Sequence, residues 1–280
     1  MDAVQTYLQS VQEAVGRIAV ENFVIPGFLD ALPVRLYRPV GIDHAPAVLY
    51  FHGGGFVAGD LDDADIPASF LAEKAAAAVF SVAYSLAPAR PFPAAPEDAY
   101  AAAQWLRKQG KRLGIDSSRL AVAGDDAGGN IAATLALILR DRNAPPLLAQ
   151  VLIGPMLDPS MTRQGDAKKL RSDLQPETCS DCYAQYLPKT LQKLHPYASP
   201  LESTRLQGLP PALIATAECD VLHREAEQYA SALITAGVPT QITRYAVKHA
   251  ELNSHLPLLA EAAEFLQRRF AAGPETALEQ

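Results

Sequence analysis

The sequence predicts an α/β protein: a mostly parallel central sheet with helices on both faces and a small helical cap. Three observations carry this expectation. Short apolar runs alternate with longer stretches whose apolar residues recur at helical spacing. The runs are nearly continuous in apolar residues rather than alternating, as strands buried on both faces must be. The chain, 280 residues and 49% apolar with no internal repeat or low-complexity block, is long enough for one domain with a large core. A single domain over 1–280 is therefore expected, with cap elements at approximately 1–20 and 157–200.

The elements follow in order. Val4 to Ile18 reads as an amphipathic helix, and Val34 to Tyr37 alternates like a half-buried strand. Ala47 to Phe51, Ala78 to Ala83, Leu120 to Ala123, Gln150 to Ile153, Ala212 to Thr216 and Thr240 to Tyr245 are short runs of the buried-strand kind. Between them, helices are expected near Ile66 to Ala77, Pro96 to Gln109, Gly128 to Asn143, Arg224 to Gly237 and Pro257 to Phe270. Leu157 to Pro200 breaks the rhythm with many polar residues and no buried strand. It is expected to lie over the C-terminal edge of the sheet, where open α/β sheets bind ligands. Gly273 to Gln280 reads as a frayed tail.

Composition narrows the function. A net charge of −7 with Lys and Arg scattered along the chain argues against nucleic acid or an anionic membrane as partner. A small-molecule substrate or ligand fits better, with a homodimer left open. The N-terminus has neither a basic region nor an apolar run before a cleavage site, and no apolar stretch reaches spanning length. An unprocessed, cytoplasmic protein is expected. The three cysteines, Cys179, Cys182 and Cys219, suit a reducing compartment. Cys179 and Cys182 form a C-x-x-C, but zinc needs about four ligands and there is no second pair. The pair reads as ordinary surface thiols, and neither metal nor organic cofactor is implied.

Two motifs carry chemistry. His52-Gly53-Gly54-Gly55-Phe56 leaves the strand Val48 to Phe51, and a glycine run there can turn successive backbone N–H groups toward one point. The second is Ala123-Gly124-Asp125-Asp126-Ala127-Gly128-Gly129, where a strand must turn sharply into an Ala-rich helix. Small flanking residues permit such a turn, and Asp126 is its apex. The alternative is that Asp125 and Asp126 only cap the helix.

Residues 34 to 270 resemble the hormone-sensitive-lipase-like carboxylesterases of the α/β-hydrolases, with their H-G-G-G loop and G-D-S-A-G-G elbow. The resemblance runs in order through Val34-Arg35-Leu36-Tyr37-Arg38-Pro39, the glycine loop, Tyr84-Ser85-Leu86-Ala87-Pro88, and Gly114-Ile115-Asp116 into the elbow. It implies an α/β-hydrolase fold with Asp126 where the nucleophilic serine is expected. Asp220, in Asp220-Val221-Leu222-His223-Arg224-Glu225, matches the family's acid, and His249 its histidine. The oxyanion donors it implies are the backbone N–H groups of Gly53, Gly54 and Ala127. His52 is expected to shape the loop, and neither His223 nor His255 stands in the place of the family's histidine. Ala250-Glu251 departs from the Gly-Phe that follows that histidine.

Asp126 decides the chemistry. A carboxylate attacking an ester forms a mixed anhydride and must expel a far more basic alkoxide, so ordinary esterase activity is expected to be weak or absent. Three alternatives stay open: an Asp-nucleophile hydrolase acting on a saturated carbon of an epoxide or haloalkane, a catalytically silent ligand-binding member, or a slow hydrolase or lyase with Asp126 as base. The first needs a donor for the leaving group, for which Tyr183, Tyr186 and Tyr197 are candidates.

Overall fold

Eight strands pair side by side into one sheet: β1 (Ile18–Pro26), β2 (Ala31–Pro39), β3 (Ala45–Phe51), β4 (Ala78–Val82), β5 (Ile115–Asp125), β6 (Gln150–Ile153), β7 (Ala212–Cys219) and β8 (Thr240–Lys248). They belong to a computed structural model that describes residues 17–272. The spatial order is β1-β2-β4-β3-β5-β6-β7-β8. The β1–β2 and β2–β4 pairs are antiparallel, and all pairs from β4 to β8 are parallel. This is the mostly parallel sheet expected from the continuous apolar runs.

Successive side chains on a strand point to opposite faces, so an all-apolar strand needs cover on both. Leu49, Phe51, Val122, Leu152 and Ile214 pack on one face, against buried residues of α2 (Ala94–Gln109), α3 (Ala127–Asp141) and α6 (His223–Thr235). Val48, Tyr50, Ala123, Val151 and Leu213 pack on the other, against α1 (Asp65–Lys74) and α7 (Leu256–Ala272). The spacing of Ala95, Ala99, Ala102, Ala103 and Leu106 gives α2 one apolar stripe. In α3 every residue from Ala127 to Leu139 is buried, because sheet, α2 and the following segment enclose it. The remaining helices, α4 (Ala167–Leu170) and α5 (Pro176–Tyr186), lie within the irregular stretch after β6.

The structure differs from expectation at the start of the chain. The helix expected over Val4 to Ile18 lies outside the described residues except at its end, and there Ile18 already belongs to β1. From Ile18 onward the supposed cap element 1–20 is therefore strand. Its half-exposed pattern, with Glu21 and Asn22 at the centre, gives little strand signal. The nine-residue antiparallel register with β2 imposes the conformation instead. The tail from 273 to 280 also lies outside the described residues.

Candidate active site

Close backbone packing builds the turn after β5. A Cβ added to Gly128 would lie 2.0 Å from the Phe51 carbonyl oxygen, and one on Gly124 would lie 2.3 Å from that of Gly128. Only glycine lets α3 start this near β3 and β5. The apex, Asp126, is consequently held at φ 52° and ψ −118°, a conformation costly for a residue with a side chain. Its N–H donates to Ile153 O at 2.9 Å, and its own carbonyl accepts from Met156 N at 3.1 Å. Its side chain makes no cap bond to α3, so helix capping does not explain it.

The Asp126 carboxylate turns instead to the glycine loop after β3. Oδ2 accepts from Gly54 N at 2.9 Å and from Gly55 N at 2.8 Å. Of the expected donors, Gly54 is thus directed at this point, and Gly55, not singled out from the sequence, joins it. Gly53 and Ala127 make no hydrogen bond to the Asp126 side chain. His52 stacks on Tyr84 with centroids 4.4 Å apart and contacts Gly53 O through Nδ1 at 2.7 Å, which fixes the loop from below. Burial lowers its pKa, so it serves as a neutral prop.

On the other oxygen, Oδ1 lies 3.6 Å from His249 Nε2. His249 follows β8 and donates through Nδ1 to Asp220 Oδ2 at 2.9 Å. Asp220 is fully buried, and its Oδ1 accepts from Leu222 N at 2.9 Å. Burial by itself would lower the His249 pKa, but the charge and hydrogen bond of Asp220 and the charges of Asp126 and Asp173 outweigh it, raising it to about 9. The histidine is therefore a cation at neutral pH, set between two carboxylates. His223 uses its ring on Asp220 O and His255 contacts Tyr245, so neither faces Asp126.

Besides Gly55, two residues given no role from the sequence shape the site. Asp173 accepts from His249 N and Ala250 N, both at 3.1 Å, pinning the segment that carries the histidine. It comes from the polar stretch after β6, where nothing in the local pattern marks it. Glu251 explains a departure in the sequence: its carboxylate accepts from Lys248 N at 2.8 Å and closes the turn after β8.

Asp126 and His249 open onto a cavity of about 430 Å³, lined mainly by apolar side chains including Ile153, Met156, Leu174 and Leu252. Cys179 and Cys182 also line it, from α5. The expectation of surface thiols is corrected here, since α5 lies against the glycine loop and Cys179 is buried. Burial raises both thiol pKa values, which keeps them protonated. The tyrosines considered as donors are elsewhere. Tyr183 and Tyr186 are buried among Phe56 and its neighbours, and Tyr197 donates to Asp141 at 3.0 Å. None of the three lines the cavity. No helix among the described residues is long and apolar enough to cross a membrane.

Comparison with known proteins places this arrangement. A family model described as the alpha/beta hydrolase fold matches residues 48–251. The carboxylesterase NlhH of Mycobacterium tuberculosis is 41% identical over 278 residues, spanning 95% of this chain and 85% of its own length. An ethyl acetate hydrolase of Pseudomonas putida is 43% identical over 222 residues, 75% of this chain and 68% of that protein. Among solved structures, an esterase from the archaeon Pyrobaculum calidifontis superposes with a TM-score of 0.83 at 39% identity, covering 98% of this chain and 88% of the other. With a strand-to-helix apex, a glycine loop and a His–Asp pair on one mostly parallel sheet, the chain belongs to the α/β-hydrolase fold family, in its carboxylesterase-like, hormone-sensitive-lipase-like branch.

Proposed function

We propose that Asp126 holds the nucleophile position of a carboxylesterase-type site, that ordinary ester hydrolysis is weak or absent, and that the cavity takes a small, apolar molecule. One observation carries this: Asp126 Oδ2 occupies the point on which Gly54 N and Gly55 N converge. An ester carbonyl polarised there would have to displace a carboxylate held by two charge-assisted hydrogen bonds. His249 is also protonated near neutrality and so is unavailable as a base. The apolar lining and the modest volume favour a small substrate or ligand.

The test is hydrolysis of a short-chain nitrophenyl ester by this protein and by Asp126→Ser. The expected outcome is background turnover for the first and a gain on the order of 100-fold or more for the second, since the hydroxyl would free the glycine loop and lower the charge beside His249. Substantial turnover by the unaltered protein, abolished by His249→Ala, would refute it.

A second reading is favoured by the division between the two carboxylate oxygens. Oδ2 is bound to the N–H groups while Oδ1 faces His249 and takes no backbone donor. That is the arrangement needed for Oδ1 to attack a saturated carbon of an epoxide or haloalkane. The same N–H groups would then polarise the resulting ester for attack by water. A silent ligand-binding protein is the outcome if neither ester nor alkyl substrate reacts while a ligand still stabilises the fold.

A further inference from the structure

The cavity beside Asp126 has a wall that neither reading of the carboxylate uses. Cys179 and Cys182 stand three residues apart on α5, an eleven-residue helix, and both line the cavity. Residues at that spacing lie one above the other on one helix face, with Cβ atoms about 5–6 Å apart. Neither thiol is in a disulfide. Cys179 is only 1% exposed, while Cys182 is half-buried with its sulfur against Gly55, where an added Cβ would meet it at 2.5 Å. Both thiols therefore border the space in front of the glycine loop.

The spacing selects what can join the two sulfurs. A disulfide brings Cβ atoms to about 3.5–4.5 Å, closer than a regular helix holds them at this spacing. A single bridging atom with two bonds to sulfur of roughly 2.3 Å each makes up the difference. A structural zinc ion needs about four ligands, and among the described residues no group of three or more His, Cys, Asp or Glu could hold a metal. The bridging atom must therefore be satisfied by two sulfurs. Burial, to which the nearby Asp126 charge adds, raises the pKa of both thiols, so a charged complex of two thiolates is disfavoured in this apolar space. A trivalent arsenic centre meets both conditions, because it takes two sulfurs, keeps one organic substituent and is neutral.

We propose that Cys179 and Cys182 form a dithiol site for monosubstituted trivalent arsenicals, with the organic substituent among the apolar residues that line the cavity, Val57, Met156 and Leu174. The two As–OH bonds of an arsonous acid break as two As–S bonds form, and each thiol proton leaves with a hydroxide as water. Arsenic stays trivalent, and no oxidant is required. The adduct fills the space next to Gly55 and Asp126, so the cavity is closed to any other ligand.

The test offers phenylarsine oxide, which hydrates to phenylarsonous acid, to the native protein in an excess of 2-mercaptoethanol. Bound arsenical is measured by intact and peptide mass spectrometry. One phenylarsenic unit per chain should be retained, with loss of two hydrogens, on the peptide that carries both cysteines, since a monothiol competes poorly with two sulfurs fixed on one helix. Cys182→Ala, a change at the half-buried position, should weaken retention on the order of 100-fold or more, and Cys179→Ala should do the same. Urea-unfolded protein, with the same thiols but no cavity, should hold the arsenical more weakly than the native protein. No retention by the native protein, retention unchanged in Cys182→Ala, or an adduct at Cys219 instead would overturn the site. Equal retention by native and urea-unfolded protein would overturn it as well, because the fold would then add nothing. The adduct mass reads binding alone, so none of these outcomes depends on what Asp126 does.

Discussion

Replacing Asp126 by asparagine keeps the shape of the side chain and its acceptor oxygen for Gly54 and Gly55 while removing the charge 3.6 Å from His249 Nε2. At that distance and an effective dielectric constant of about 20, the attraction between unit charges is about 4–5 kcal/mol. If solvent and relaxation leave only about a third of it, the His249 pKa should still fall by about one unit, from about 9 to about 8. The unfolded value is near 6.5, below the folded one, so the protonated histidine stabilises the fold fully below pH 6.5. That contribution disappears as pH rises through about 9. Between about pH 7 and pH 9.5 the unaltered protein should lose roughly 2–3 kcal/mol from this group, and Asp126→Asn roughly 1. Asp125, raised to about 7 by burial, titrates across the lower edge of this window and also feels the Asp126 charge, so the His249 contribution is identified by the ring signals themselves. NMR titration of the histidine ring signals, with urea unfolding at the two pH values, measures both quantities. A His249 pKa near 6.5 in the unaltered protein, or the same pKa in both proteins, would refute the ion pair.

Two further outcomes follow from the geometry. Asp173→Asn retains an oxygen for one of the two N–H groups but removes charge from the histidine segment. It should lower the His249 pKa and reduce ester turnover of the Asp126→Ser protein about tenfold, read from the pH profile and kcat/KM. Gly128→Ala drives a methyl to within 2.0 Å of Phe51 O and 2.5 Å of His52 O, backbone that cannot swing aside. It should cost about 3 kcal/mol or more, seen as a lowered urea midpoint or loss of folded protein.

The parts legible in the sequence are those whose physics is local. Ala47 to Phe51 and Gln150 to Ile153 had to be strands buried on both sides, because no other short element hides every residue of such a run. Gly124 and Gly128 mark a close approach of backbone, and the structure puts them against Gly128 O and Phe51 O. Asp126 and His249 come from elements far apart in the chain, and only the resemblance in motif order set them opposite each other. What remained hidden depends on long-range partners. β1 is a strand by virtue of β2, and Asp173 matters only because β8 ends next to it. The fate of Cys182 likewise turned on which way α5 faces: Gly55 lies so near that a Cβ there would meet the thiol sulfur at 2.5 Å.

The strained apex connects stability to chemistry. A side chain at φ 52° and ψ −118° costs on the order of 1–3 kcal/mol, and a residue that served only as a helix cap would gain nothing for it. Here the cost is offset by two hydrogen bonds from Gly54 and Gly55 to a charged acceptor, each worth about 1.5–3 kcal/mol, and by the facing His249. Serine at the same apex would keep the strained backbone but could not reproduce both bonds or the ion pair. The Asp126→Ser protein should therefore be less stable by about 2 kcal/mol or more while it gains esterase activity, as expected where a site is freed for catalysis. If it proved as stable as the unaltered protein, the carboxylate would not be held by the glycine loop at all. The loop would then be open to an ester carbonyl even with Asp126 in place.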